Sequence, residues 1–287
     1  MTVNHAASRP KSIRVPRILS IAGTDPTGGA GVQADLKSIS AMGGYAMAVV
    51  TALVAQNTRG VRSVHLPPVS FLREQLEAVS DDVEIDGVKI GMLADADTVT
   101  TVKAWLDEVR PPIVVLDPVM VATSGDRLLA EDAEAAVRDL CRSADLITPN
   151  VPELAVLADA SEAQTWADAV AQARLVSARC DTVVLVKGGH LVGDRVHDAL
   201  VDARSAPEGS PVPDGLFEAD APRVDTECTH GTGCTLSSAM ATRLAAGDDW
   251  PTALITVKAW LTRALRSADA LHVGQGHGPV DHFVDLR

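Results

Sequence analysis

The chain has 287 residues, 46% hydrophobic and 22% charged, enough for one large α/β domain with a sizeable core. Its formal net charge of −13 argues against a nucleic-acid or anionic-membrane surface, while leaving room for a local phosphate site. Cys141, Cys180, Cys228 and Cys234 form no CxxC pair, which argues against a zinc framework and for a reduced, cytoplasmic protein. The basic N-terminus lacks a secretory h-region, and the apolar run 46–55 is too short to span a bilayer, so a soluble protein is expected.

In chain order, residues 1–16 are polar and basic and read as a disordered leader. A short buried strand is expected over 17–23. The turn Gly23-Thr24-Asp25-Pro26-Thr27-Gly28-Gly29-Ala30-Gly31 follows, running into a helix over about 30–42. It is Gly-rich but neither a Walker A loop nor GxGxxG, so it reads as a ligand loop built from backbone. Asp35 falls near the start of that helix, either as a ligand or as a surface acid favoured by the dipole. The β-branched run 47–55 predicts one buried strand, ending at Gln56-Asn57-Thr58-Arg59-Gly60. Gln56 could read a heterocycle through its paired donor and acceptor, or simply cap a turn.

Helices are expected over 71–79, 97–109, 131–141 and 165–180, with another after Pro149-Asn150-Val151-Pro152-Glu153 running to about 158. Strands are expected over 87–92, 113–116, 145–148 and 182–186, an edge strand over 196–201 and a further strand over 216–223. Ser124-Gly125-Asp126 reads as a turn, 205–215 as a Pro/Gly/Ser surface loop, and 250–271 as a long final helix. The tail Gly274-Gln275-Gly276-His277-Gly278-Pro279 looks irregular. Strands and helices alternate at least six times. That predicts a mostly parallel sheet with helices on both faces, and no composition break divides 17–287. Gln56, Met92, Asp117, Asn150 and Lys187 each follow a strand, so they should gather along one sheet edge and form a cleft.

The stretch His230-Gly231-Thr232-Gly233-Cys234-Thr235 reads as a loop feeding a helix. Such an end offers unpaired N–H groups and partial positive charge to an anion, and its field lowers a thiol's pKa. A plain helix start with a buried Cys is the blander option. Asn150 and Glu153, three apart at a helix start, could hold Mg²⁺ or form a capping box. Asp117 is a further acid at a strand end, and Lys187 is either a phosphate ligand or a solvated lysine before a turn. The combination suggests phosphoryl transfer.

These residues also carry a resemblance. The stretches 22–35 and 51–58, Lys89-Ile90-Gly91-Met92-Leu93, Asp117-Pro118-Val119-Met120, Thr148-Pro149-Asn150-Val151-Pro152-Glu153, Lys187-Gly188-Gly189-His190 and 230–235 together resemble the bacterial hydroxymethylpyrimidine/phosphomethylpyrimidine kinases of thiamine biosynthesis. That family is ribokinase-like, and the match runs in order from about residue 17 to 283. The resemblance implies ATP-dependent phosphorylation of 4-amino-5-hydroxymethyl-2-methylpyrimidine to its monophosphate and then its diphosphate. It implies a pyrimidine pocket of Gly23, Asp35, Gln56, Met92 and Val119, and an anion hole of Gly231, Thr232, Gly233 and Cys234. It implies nucleotide binding by Lys187, Asn150 and Glu153, with Mg²⁺ held by Asn150, Glu153 and Asp117, and it suggests a homodimer. Cys234 is the expected base, with Asp35 as the other candidate. The alternatives are a pyridoxal or pyridoxine kinase and a non-catalytic pyrimidine-binding protein of the same fold.

Overall fold

The computed structural model describes residues 14–120, 130, 133–204 and 210–287. The expected leader up to residue 13, the turn Ser124-Gly125-Asp126, the start of the helix expected from 131 and the first part of the 205–215 loop, residues 205–209, lie outside the described residues.

Eight strands form one sheet: β1 (Arg17–Ala22), β2 (Tyr45–Val50), β5 (Gly87–Ile90), β6 (Val114–Leu116), β7 (Leu146–Ile147), β8 (Val183–Lys187), β9 (Arg195–Val201) and β10 (Leu216–Pro222). Their order is β10-β9-β8-β7-β6-β5-β1-β2. The first six in sequence pair in parallel, and β9 and β10 run antiparallel. A separate hairpin of β3 (Leu53–Asn57) and β4 (Gly60–His65) stands off this sheet.

Side chains alternate across the strands, and each face finds its own helices. Leu19 and Ile21 of β1, with Val114 and Leu116 of β6, join one apolar layer. That layer is closed by α2 (Val69–Ser80), α3 (Ala96–Val109), α4 (Glu134–Leu140), α5 (Val151–Ala158) and α6 (Trp166–Cys180). Ile18 and Val115 face the other layer, closed by α1 (Gly31–Ala41), α7 (Thr232–Ala245) and α8 (Trp250–Ser267). Helix ends follow local chemistry. Asp95, Thr165 and Asp249 cap α3, α6 and α8 with side-chain oxygens, and α3 stops at a left-handed Arg110 before Pro111. No helix among the described residues is long and apolar enough to cross a membrane.

The structure departs from two strand expectations. The run 47–55 is not one buried strand. The chain leaves the sheet after Val50, Thr51 donates its hydroxyl to the Met92 carbonyl at 2.6 Å, and Leu53 onward joins the hairpin. Gln56 therefore sits on the hairpin, not at the end of a sheet strand. The expected edge strand 196–201 is interior, because β10 pairs outside it.

The strand order locates the cleft. From β1 the chain goes to β2 on one side and later returns to β5 on the other. Ligands of open α/β sheets bind outside the carboxyl ends of strands at such a switch point.

Candidate active site

One cavity of about 660 Å³ opens along the carboxyl ends of the strands. Gly23, Gln56, Met92 and Val119 line one end, and Gly231, Thr232, Gly233 and Cys234 line it alongside Asp117. Lys187, Asn150 and Glu153 belong to the same wall, and Asp198, Val224, Lys258, Leu261 and Leu265 extend it. Every expected site residue except Asp35 therefore faces one space.

Asp35 stands apart from that space. Its side chain is fully buried, with no exposed surface, and belongs to an internal charge network. Lys89 Nζ reaches both carboxylate oxygens, at 2.7 and 2.9 Å, while Ser20 Oγ and Ser238 Oγ donate at 2.6 and 2.7 Å. Three donors thus make four hydrogen bonds to this one carboxylate. Burial pulls the Lys89 pKa down, but the charges of Asp35, Cys234 and Asp117 outweigh that and hold it above the ordinary lysine value.

Cys234 lies in the first turn of α7, as expected, but the expected lowering of its pKa is not found. Burial pushes the thiol up to about 11. The nearby Lys89 charge opposes this, and Asp35 and Asp117 reinforce it. The Gly31 N–H, from the first Gly-rich loop, also faces the sulfur and favours the thiolate. A helix terminus acts through its own few amides, and here desolvation wins.

The start of α7 takes its form from two glycines. Gly231 caps α7 with φ +76°, and a β-carbon there would stand 1.8 Å from the Gly29 carbonyl oxygen. Only glycine lets the two loops touch. At Gly233 a β-carbon would lie 3.3 Å from Lys187 Nζ and 3.4 Å from Asp117 Oδ2, so a cation and a carboxylate meet directly at the helix end. Lys187 Nζ donates to Asp117 Oδ1 at 3.0 Å, and Thr148 Oγ1 donates to the same oxygen at 2.8 Å. Lys187 is thus paired, not solvated. Burial lowers its pKa, and Asp117 and Glu153 more than restore it.

Asn150 and Glu153 do form the capping box: Asn150 Oδ1 accepts from Glu153 N, and Glu153 Oε2 accepts from Asn150 N, each at 2.9 Å. Both nevertheless line the cavity. Burial raises the Glu153 carboxyl to about 7, Lys187 opposes, and Asp117 adds to the rise. Two neighbouring carboxylates with an amide oxygen form a hard, anionic set suited to Mg²⁺, which takes few protein ligands and keeps its waters.

Gln56 owes its aim to a bulge. Ala55 pairs with Ser63 but Gln56 pairs with Val61, so the ladder slips one residue at that step. The hairpin tip is fastened to the irregular tail. Thr58 Oγ1 accepts from Gln275 N at 3.3 Å and Gly276 N at 3.2 Å. A β-carbon on Gly274 would meet that hydroxyl at 2.2 Å, so the tail's glycines make Thr58's socket.

Sequence reasoning missed Lys89, the Asp25–His230 pair and the Lys258–Asp198 pair, the last at 2.6 Å. Lys89 had a signal: a charge inside the buried run 87–92 requires a buried partner. The other two join residues too far apart in the chain for spacing to show.

The fold and the cavity define a small-molecule kinase of the ribokinase-like class, with an anion hole at a helix N-terminus between two binding ends. A Bacillus subtilis pyridoxal kinase, solved as an ADP complex, superposes with a TM-score of 0.83 at 29% identity, covering 96% of this chain and 100% of that one. The profile of the phosphomethylpyrimidine kinase family matches residues 25–281, and the chain belongs to that family. A hydroxymethylpyrimidine/phosphomethylpyrimidine kinase of Escherichia coli is 47% identical over 266 residues, 92% of this chain and 96% of the relative. A thiamine biosynthesis multifunctional protein of Corynebacterium glutamicum is 55% identical over 267 residues, 93% of this chain but only 34% of its own length. The chain thus spans about a third of that relative.

Proposed function

We propose that the protein transfers the γ-phosphoryl group of ATP to the hydroxymethyl oxygen of 4-amino-5-hydroxymethyl-2-methylpyrimidine. It then phosphorylates the monophosphate to the diphosphate, in thiamine diphosphate biosynthesis. The observation that carries this reading is the single cavity in which Gln56 and Met92 stand at one end and Lys187 and Glu153 share the wall with the start of α7. A pure pyrimidine binder has no use for the second group.

Gln56 reads the aminopyrimidine edge through its amide, and the apolar Met92 and Val119 flank the ring. The amides of Gly233 and Cys234, in the first helical turn, face the transferring phosphoryl group, and Lys187 adds a point charge beside Gly233. Asp117, Glu153 and Asn150 would hold Mg²⁺, which neutralises phosphate charge when bound. Cys234, which lines the cavity, is the base. Asp35, which does not, supports it from behind by holding Lys89. The thiol must lose its own proton first, and the Lys89 ammonium favours that loss.

One sheet running from Arg17 to Pro222 supports reading 17–287 as a single kinase domain. Exposed Tyr45 on the open edge strand, with Leu53 and Val64 on the hairpin, supports a homodimer, and light scattering would test it. Four free cysteines are in keeping with a cytoplasmic protein.

The test is to mix the purified protein with hydroxymethylpyrimidine and MgATP, follow ADP release and identify products by mass. Successive mono- and diphosphate are expected. Turnover only with pyridoxine-type substrates would replace the reading with a pyridoxal kinase. Tight pyrimidine binding without turnover would replace it with a binding protein.

A further inference from the structure

Two Gly-rich loops from opposite ends of the chain meet over the cavity, and one polar contact ties them. His230 Nε2 lies 2.7 Å from Asp25 Oδ2. The Asp25 side chain has no exposed surface, and that of His230 is 14% exposed. The carboxylate organises its own loop first. Its Oδ1 accepts from Thr27 N at 2.9 Å and Thr27 Oγ1 at 2.8 Å, and its Oδ2 from Gly29 N at 3.1 Å and Ala30 N at 2.8 Å. The bond to His230 then joins this loop to the start of α7. Burial raises the Asp25 carboxyl, but the bonds from His230 and Thr27 outweigh it and bring it down to about 2, so it is ionised at every working pH.

The contact sits at a mechanically sensitive place. The residue after His230 is Gly231, pressed against the Gly29 carbonyl. Two residues beyond Gly29 is Gly31, whose N–H faces the Cys234 sulfur. The His230 backbone is held from its other side, donating to the Gly278 carbonyl at 3.0 Å. Asp25 does not line the cavity, and His230, which does, has its Nε2 taken by Asp25. The contact between them acts through the loops it joins.

We propose that Asp25 and His230 are positioning residues for phosphoryl transfer: their contact holds the 231–234 anion hole in register with Gly31 and fixes Cys234 against the acceptor side of the cavity. The proposal rests on the kinase reading above. A displacement on the order of 1 Å at a reacting group costs about 100-fold in rate.

The experiment compares wild type with His230→Leu, His230→Gln and Asp25→Asn. It measures kcat and KM with hydroxymethylpyrimidine and MgATP, thermal unfolding, and the rate at which iodoacetamide labels Cys234, read by peptide mass. His230→Leu is expected to lose about 100-fold in kcat, with both KM values within about threefold, because the lost term is transition-state alignment. Cys234 should label several-fold more slowly, since the Gly31 N–H that favours its thiolate moves off the sulfur. His230→Gln, whose amide nitrogen can still reach Asp25, should recover most of the kcat. Asp25→Asn should be as poor as His230→Leu, because an NH₂ would then oppose N–H donors.

If His230→Leu does not fold, His230→Asn, whose shorter amide falls short of Asp25, replaces it with the same expected loss. A variant that melts earlier yet keeps wild-type kcat would make the contact structural and overturn the proposal. So would a His230→Gln no better than His230→Leu. Failure of the wild type itself to turn over would instead sink the kinase reading, and unchanged labelling of Cys234 would then still refute the clamp.

Discussion

On and behind the wall beside the start of α7, three lysines are held by carboxylates: Lys89 by Asp35, Lys187 by Asp117, Lys258 by Asp198. Elsewhere on the same cavity, Gln56 hangs from a two-stranded hairpin whose strand β4 is largely exposed and whose tip is fastened through Thr58. The first region is organised before any ligand arrives, as electrostatic stabilisation of a transition state requires. The second is held by a few neutral hydrogen bonds, so its position is the cheaper one to change. Substitutions at the phosphate end should therefore cost stability and kcat, and those at the hairpin should appear in KM for the pyrimidine.

The largest effect is expected from Lys89→Met, which leaves the Asp35 carboxylate buried without its cation. Denaturant unfolding should show a loss of about 3–5 kcal/mol, partly recovered in the double variant with Asp35→Asn. A loss under 1 kcal/mol would break the contrast at its stronger side.

Next comes Cys234→Ala, expected to lower kcat about 100-fold while the unfolding midpoint hardly moves. The pH profile sharpens this. A thiol lifted to about 11 is neutral at pH 7, and its thiolate fraction grows about tenfold per unit as pH rises. The wild-type kcat should climb accordingly between about pH 6 and 9. A flat profile would move Cys234 from base to stabiliser of the phosphoryl group.

At the hairpin, Gln56→Ala should raise KM for the pyrimidine about 10- to 100-fold, leaving KM for MgATP and stability near wild type. The smallest change is expected for Thr58→Val. It keeps the shape but removes the acceptor of the Gln275 and Gly276 amides, for a few-fold rise in pyrimidine KM. Equal effects of Gln56→Ala on both substrates' KM would deny the hairpin a dedicated role.

Much of the scaffold was legible because its signals are local. Apolar β-branched runs predicted the parallel sheet, and polar residues after strands predicted that Gln56, Met92, Asp117, Asn150 and Lys187 would share the cavity wall. The break after Val50 was not, since Thr51 and Ala52 carry no turn signal and the chain is drawn away by a bond to Met92, 41 residues on. The buried partners of Asp35 were hidden for a similar reason. A carboxylate in the first turns of a helix looks alike whether it meets a ligand or a lysine 54 residues away. For Cys234 the helix terminus was legible, but the depth of burial that governs its proton affinity is a property of the assembled loops.

The tail gathers these loops. Gly274 and Gly276 seat Thr58, Gly278 accepts from His230, and His282 Nε2 lies 2.9 Å from Thr235 Oγ1. The segment 274–282 thus fastens the hairpin, the first Gly-rich loop and α7 together. The cavity wall ends with Leu265, so the tail adds no surface to it. It works as a fastener, tying three separate parts of the site from outside the space they enclose.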